Sequence, residues 1–329
     1  MAQLVDTYGR TVSNIRISVT DRCNYRCTYC MPEQGMTWMR KDKLLTYEEI
    51  ARVSRIFSSL GVRKIRLTGG EPLMRRDLWR LVEMVRAVSG IEDIALTTNG
   101  YFLKEQAKAL VEAGLTRINV SLDSLNPGVF AEVVRREFFA QTWEGIEQAD
   151  RLGVRPIKLN VVLIRGVNDG EIIDFAKLAR ERPFVIRFIE FMPIGKDDGW
   201  TMDKVVPTRE VIETIDRYAR LVPVPHANKR SPADRYLFED GKGEIGFISS
   251  VSEPFCSDCD RIRVTSDGKL RTCLFSIHET DLRAMLRGGA TDTEISDVIV
   301  AAVWKKEEGH LINRPGFVRP ERTMSQIGG

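Results

Sequence analysis

Between residues 14 and 190 the apolar positions follow two alternating periods. Short β-rich runs, read as strands and four of them alternating with a period of two, fall at Asn14–Thr20, Lys64–Thr68, Asp93–Thr98, Arg117–Asp123, Ile157–Ile164 and Phe184–Glu190. Between them, helical periodicity marks Thr46–Leu60, Leu78–Val88, Leu103–Ala113, Thr142–Leu152 and Asp169–Arg182. The first helix opens on a capping box, Thr46 with Glu49, and sets Ile50, Val53, Phe57 and Leu60 on one face. Strands alternating with helices predict an α/β fold with a parallel sheet. Six strands are too few for a complete eight-stranded barrel and predict an open, partial (βα)6 TIM-like barrel.

The strands are polar on one side. Ile15, Ile17 and Val19 alternate with Asn14, Arg16, Ser18 and Thr20; Ile65 and Leu67 alternate with Lys64, Arg66 and Thr68. Ile118, Val120 and Leu122 oppose Asn119, Ser121 and Asp123, and Leu159, Val161 and Leu163 oppose Lys158 and Asn160. Strands covered on both faces of a parallel sheet read as near-continuous apolar runs. These do not, so their second face either meets solvent or lines a wide, cationic, ligand-filled lumen. Loops at the strand C-terminal ends, where barrel active sites sit, carry Gly69-Gly70-Glu71-Pro72, Thr97-Thr98-Asn99-Gly100, Ser121-Leu122-Asp123 and Phe191-Met192-Pro193. The paired glycines suit close backbone approach to a ligand.

Pro and Gly gather at 193–199 and 223–246, with Lys196-Asp197-Asp198-Gly199 reading as an exposed turn, and this divides the chain into regions 1–222 and 223–329. Helices are expected at Asp281–Leu286 and Thr293–Lys305 in the second region. A formal net charge of +3 gives no bulk electrostatic case for nucleic acid or membrane. No apolar run reaches the length of a membrane span, and the N-terminus lacks the apolar stretch of a signal peptide. The expectation is a cytoplasmic protein, in which disulfides are an uncommon use of cysteine.

The six cysteines form two triplets: Cys23, Cys27 and Cys30 (C-x3-C-x2-C), and Cys256, Cys259 and Cys273 (C-x2-C-x13-C). Structural zinc takes four ligands and each triplet supplies three, whereas a 4Fe–4S cubane on three thiolates keeps one iron open for another ligand. For the second triplet alone, zinc and a cluster stand level, since C-x2-C is a common zinc spacing and His278 follows Cys273 by five residues. His226 and His310 read as surface or packing residues. For the first triplet no histidine is near.

The run Ser18-Val19-Thr20-Asp21-Arg22-Cys23-Asn24-Tyr25-Arg26-Cys27-Thr28-Tyr29-Cys30-Met31-Pro32 resembles the signature of the radical S-adenosylmethionine superfamily. The resemblance implies that the partial barrel is that superfamily's core, and that Cys23, Cys27 and Cys30 hold a cluster whose open iron takes the amino and carboxylate groups of S-adenosylmethionine. Gly69-Gly70-Glu71-Pro72 resembles its glycine–glutamate loop.

Near the second triplet, Arg261 and Arg263 share a face if the stretch is extended, and arginine forks suit phosphate. With Arg16, Lys64, Arg66, Lys158 and Arg187 they would line one cavity with strong positive charge, which predicts a polyanionic substrate such as a nucleoside triphosphate. Segments 15–32, 64–72, 97–100, 119–125, 187–195 and 246–275, and the terminal Met324-Ser325-Gln326-Ile327-Gly328-Gly329, resemble a family of radical GTP cyclases acting in the first step of molybdenum cofactor biosynthesis. That resemblance implies two 4Fe–4S clusters, the second in the C-terminal extension and bound to guanine through its open iron. It implies S-adenosylmethionine contacts at Tyr29, Gly70, Ser121 and Met192. It implies GTP contacts at Arg16, Arg66, Thr97, Lys158, Arg261 and Arg263, with Lys64 and Arg187 as further candidates. Gly328 and Gly329 would reach the active site and assist turnover together with Arg261 and Arg263.

In such enzymes a deoxyadenosyl radical takes the ribose 3′ hydrogen and the sugar carbon attacks guanine C8, giving (8S)-3′,8-cyclo-7,8-dihydroguanosine 5′-triphosphate. The family also implies a flavodoxin or ferredoxin as electron donor, a downstream cyclic pyranopterin monophosphate synthase and a homodimer. Asp260 stands where members more often carry asparagine, and an acidic residue there would perturb the arginine pair. Two other readings compete: a peptide-modifying maturase of the same superfamily, which would carry more C-terminal cysteines, and a zinc-stabilised binding module without catalysis.

Overall fold

The computed structural model describes residues 3–194, 199–225 and 231–328. His226 and most of the turn expected at 196–199 lie outside the described residues. Six parallel strands form the centre of the sheet: β1 (Asn14–Ser18), β2 (Lys64–Thr68), β3 (Asp93–Thr98), β4 (Arg117–Ser121), β5 (Ile157–Leu163) and β6 (Phe184–Glu190). Each was predicted, to within two residues at either end. The helices between them are α1 (Tyr47–Ser59), α2 (Leu78–Arg86), α3 (Leu103–Glu112), α4 (Pro127–Val134), α5 (Phe139–Arg151) and α6 (Ile172–Glu181). The Thr46–Glu49 capping box is present at the start of α1. Helix α4 was not anticipated, although Asn126 caps it and Pro127 opens it.

The chain beyond β6 extends both edges of this sheet. After α7 (Thr208–Asp216), β7 (Leu221–Pro223), β8 (Asp234–Phe238) and β9 (Glu244–Ile248) follow, and β9 pairs in parallel with β6. At the other edge β10 (Arg261–Val264) pairs in parallel with β1, and β11 (Lys269–Arg271) and β12 (Thr280–Asp281) complete that side. The sheet order is β12-β11-β10-β1-β2-β3-β4-β5-β6-β9-β8-β7, so it ends on two edges and is an open barrel. Helices α8 (Leu282–Arg287), α9 (Asp292–Trp304) and α10 (Met324–Ile327) finish the chain. No helix among the described residues is long and apolar enough to cross a membrane.

The apolar parity of the central strands is the outer face, under the helices. Ile15, Ile17, Leu67, Ile118, Val120, Leu159 and Val161 are all 0 % exposed. The opposite parity faces the lumen: Arg16, Lys64, Arg66, Asn119, Lys158 and Asn160 all line it.

Candidate active site

The lumen is a cavity of about 390 Å³, and both cysteine triplets line it. That volume lies within the range of small-ligand sites. Register places the triplets at opposite ends. Cys23, Cys27 and Cys30 follow the C-terminal end of β1. Cys256 and Cys259 precede β10, whose first residue Arg261 lies level with Asn14 at the opposite end of β1. Cys273 lies two residues past Arg271, which pairs with Arg263 on the antiparallel strand, and so returns to the level of Arg261. From Asn14 to Ser18 is roughly 13 Å of strand, at about 3.3 Å per residue.

Backbone packing and hydrogen bonds shape the first end. Gly70 and Glu71 donate their N–H groups to the carbonyls of Thr20 and Arg22 (2.8 and 2.7 Å). A Cβ on Gly70 would run into the backbone of Asp21 and Arg22, and one on Gly69 into Thr20. The glycines are therefore required by the loop that leads into Cys23, and both also line the cavity. Glu71 is buried and accepts from Leu73 N–H, Thr98 Oγ1 and Asn99 N–H, tying the ends of β2 and β3 together. Burial raises its carboxyl to about 7, against the pull of those donors. Arg26 folds back onto the Cys23 and Tyr25 carbonyls at 2.6 and 2.7 Å.

The second end is braced from three parts of the chain. The buried Arg10, paired with Asp6 at 2.6 Å, donates to the carbonyls of Cys256, Glu307 and Glu308. The buried Lys306 donates to the carbonyls of Arg261 and Thr272. Arg261 lies over the Phe255 ring, 4.7 Å from its centroid, and within 3.5 Å of the Cys259 sulfur. Neither Arg10 nor Lys306 was singled out from sequence. Their isolated positions give no motif to read.

The thiols of the two triplets sit in different electrostatic surroundings. Burial, reinforced by Glu71 and Cys30, pushes Cys23 up to about 12. Burial also takes Cys30 to about 12, opposed by a hydrogen bond from the Ser325 backbone. Cys27 is pushed well up by burial and by Cys30. Three neighbouring thiols this reluctant to ionise suit a cationic centre that would neutralise them together. Cys259 differs: burial pushes it up, but Arg261 and Lys306 prevail and hold it at about 7. Among the described residues, no three His, Cys, Asp or Glu side chains gather tightly enough for a single metal ion. His278 is exposed and does not line the cavity, so it is not placed as the fourth ligand of the zinc reading; the His310 backbone N–H lies against Cys256. His310 packs on Phe275, 5.3 Å between centroids, as a packing residue.

The cavity wall between the ends is cationic. Arg16, Lys64, Arg66, Lys158, Arg187, Arg261 and Arg263 all line it, as predicted, together with Thr97, Tyr29, Gly70, Ser121 and Met192. Burial, then Arg261, lowers Arg16 to about 10, and burial with Arg117 does the same to Arg187. Lys158 falls to about 7 through burial and the charge of Arg187. Such mutual repulsion marks a surface complementary to a polyanion. Arg117, paired with Asp93, was missed. It shares the parity of Asn119, which was the signal available.

Asp260 is buried; its Oδ2 accepts from Ser13 Oγ at 2.7 Å, and its Oδ1 has no partner. Its charge favours the ionised form of Arg16. Gly328 enters the barrel: its carbonyl accepts from Arg263, and an added Cβ would meet Thr68 Cγ2 at 2.9 Å and Ser18 Cβ at 3.1 Å. Gly329 lies outside the described residues.

Family models match in two blocks, Radical SAM superfamily over residues 17–179 and Molybdenum Cofactor Synthesis C over residues 184–312. The GTP 3′,8-cyclase of Pelotomaculum thermopropionicum is 48% identical over 98% of this chain and 99% of its own length. That of Streptomyces coelicolor is 45% identical over 99% of this chain and 96% of its own. Among solved structures, Streptococcus suis SuiB bound to S-adenosylmethionine superposes with a TM-score of 0.65 at 13% identity, covering 97% of this chain and 79% of that one, a likeness of fold. Full-length relatives at this identity and a sheet built around two thiol triplets agree: the chain belongs to the GTP 3′,8-cyclase family of radical S-adenosylmethionine enzymes.

Proposed function

We propose that this chain cyclises GTP to (8S)-3′,8-cyclo-7,8-dihydroguanosine 5′-triphosphate, the first step of molybdenum cofactor biosynthesis, using two 4Fe–4S clusters. The observation that carries the reading is the row of buried cations between two thiol triplets at opposite ends of one cavity. Cys23, Cys27 and Cys30 would hold the first cluster, and Cys256, Cys259 and Cys273 the second. A reduced cluster with S-adenosylmethionine supplies one-electron cleavage of the sulfonium, the source of hydrogen-abstracting power.

The chain's own residues bind, orient and exclude water. Tyr29, Gly70, Ser121 and Met192 are assigned to S-adenosylmethionine. Arg16, Lys64, Arg66, Thr97, Lys158, Arg187, Arg261 and Arg263 are assigned to GTP, their forks and ammonium groups engaging the triphosphate. With guanine at the second triplet, the ribose falls between the cation row and the first triplet, so C3′ and C8 are held for bond formation. Arg261, Arg263, Gly328 and Gly329 are assigned to turnover, the Gly328 carbonyl accepting from Arg263. In this reading region 1–222 is the barrel and region 223–329 the auxiliary-cluster region that closes it. A flavodoxin or ferredoxin would reduce the first cluster, a cyclic pyranopterin monophosphate synthase would take the product, and the protein would work as a cytoplasmic homodimer.

The test is anaerobic incubation of the reconstituted, reduced protein with GTP and S-adenosylmethionine. Stoichiometric 5′-deoxyadenosine and a cyclised nucleotide are expected. Deoxyadenosine formed equally without GTP would remove the substrate assignment.

A further inference from the structure

The reading above gives no task to Asp123, although it is a fully enclosed carboxylate at the cavity wall, 2 % exposed. Burying a carboxylate is expensive unless hydrogen bonds satisfy it. Here Oδ2 accepts from the Tyr29 hydroxyl at 2.7 Å and Oδ1 from the Val162 N–H at 2.9 Å. Asn168, also buried, completes the arrangement: its Nδ2 donates to the Asp123 and Val162 carbonyls at 2.7 and 2.9 Å, and its Oδ1 accepts from Ile164 N–H at 2.8 Å. The ends of β4 and β5 are thereby locked together, with a single carboxylate reaching from them to the loop of the first triplet.

Two facts give this clamp a direction. Tyr29 lies between Cys27 and Cys30, and its hydroxyl also reaches the Cys27 thiol, so its ring is tied to the cluster loop. Ser121 lies two residues before Asp123 and shares its strand parity, so both side chains face the cavity. A link between Asp123 and Tyr29 therefore sets the distance between the cluster loop and the strand end that carries Ser121. A hydrophobic contact would hold the ring less specifically than a charge-assisted hydrogen bond, which is directional.

We propose that Asp123 is a positioning residue: it holds Tyr29 so that the first-triplet loop and Ser121 close on one S-adenosylmethionine. This rests on the reading that the first triplet serves that molecule. The test uses anaerobically reconstituted holoenzyme, with iron content, S-adenosylmethionine binding by equilibrium dialysis, and the change in the reduced cluster's EPR signal on adding S-adenosylmethionine. Tyr29→Phe and Asp123→Ala each remove the link and should weaken binding about tenfold or more at wild-type iron content. Asp123→Asn keeps a hydrogen bond, donated to the tyrosine oxygen, and should recover most of the affinity and the EPR change. The Tyr29→Phe/Asp123→Ala double variant should be little worse than Asp123→Ala alone, because the two residues act as one unit.

Wild-type affinity in Tyr29→Phe would overturn the proposal, and that variant stays informative if Asp123→Ala does not fold. Iron loss in Tyr29→Phe would also overturn it, since the link would then be holding the cluster rather than placing its ligand. A wild-type protein that carries its iron yet binds no S-adenosylmethionine would bring down the functional reading itself.

Discussion

At the residue scale, Lys158 gives the clearest pH prediction. Burial and Arg187 hold its ammonium at about 7, so the free protein loses that charge as pH rises through 7. A bound triphosphate stabilises the ammonium and raises its pKa, so binding above pH 7 takes up a proton. GTP affinity should therefore fall as pH rises from about 7 to 8.5, by up to about tenfold per unit. Lys158→Met should bind GTP more weakly at pH 7, with a flatter dependence on pH. Titration calorimetry in buffers of different ionisation enthalpy measures both the slope and the proton uptake. An equal slope in the variant would assign the dependence to GTP or another group. Individual residues were legible where strand parity exposed them, as with Arg16, Arg66 and Lys158. Arg10 and Lys306 were not, because each acts on backbone carbonyls of segments far away in sequence.

At the scale of elements, the Gly69-Gly70 turn and the first-triplet loop form one unit. Gly70→Ala should push the backbone of Asp21 and Arg22 away and cost the protein its first cluster while the second survives. Gly170→Ala, where an added Cβ meets nothing within 4 Å, is the matched control and should keep both. Iron analysis with EPR of each variant reads the outcome, and full iron in Gly70→Ala would contradict the packing argument. The six central strands were legible as short β-rich runs, four of them with alternating apolar and polar positions. The strands of the last third were not, because their place depends on distant partners: β9 joins β6, and β10 joins β1 across some 250 residues of chain. Only for the Arg261–Arg263 stretch was extension considered, as the condition on which its two arginines share a face.

At the scale of the whole molecule, the β1–β10 pairing converts two sequence-distant triplets into the two ends of one chamber. Reconstituted protein should hold about eight irons, and replacing the three cysteines of either triplet by alanine should halve that. Stoichiometric zinc in the variant that keeps only the second triplet would restore the alternative that spacing alone left open. The Gly-Gly tail belongs to this scale as well: read locally it is a flexible terminus, yet Gly328 is held inside the barrel by Arg263.

The central claim is that the cation row holds GTP with its ribose C3′ toward the first triplet while its base sits at the second. Turnover with GTP carrying deuterium at C3′, followed by mass analysis of the 5′-deoxyadenosine, tests that placement most directly. The account predicts one deuterium transferred into each deoxyadenosine formed with product. Unlabelled deoxyadenosine accompanying a cyclised nucleotide would contradict it.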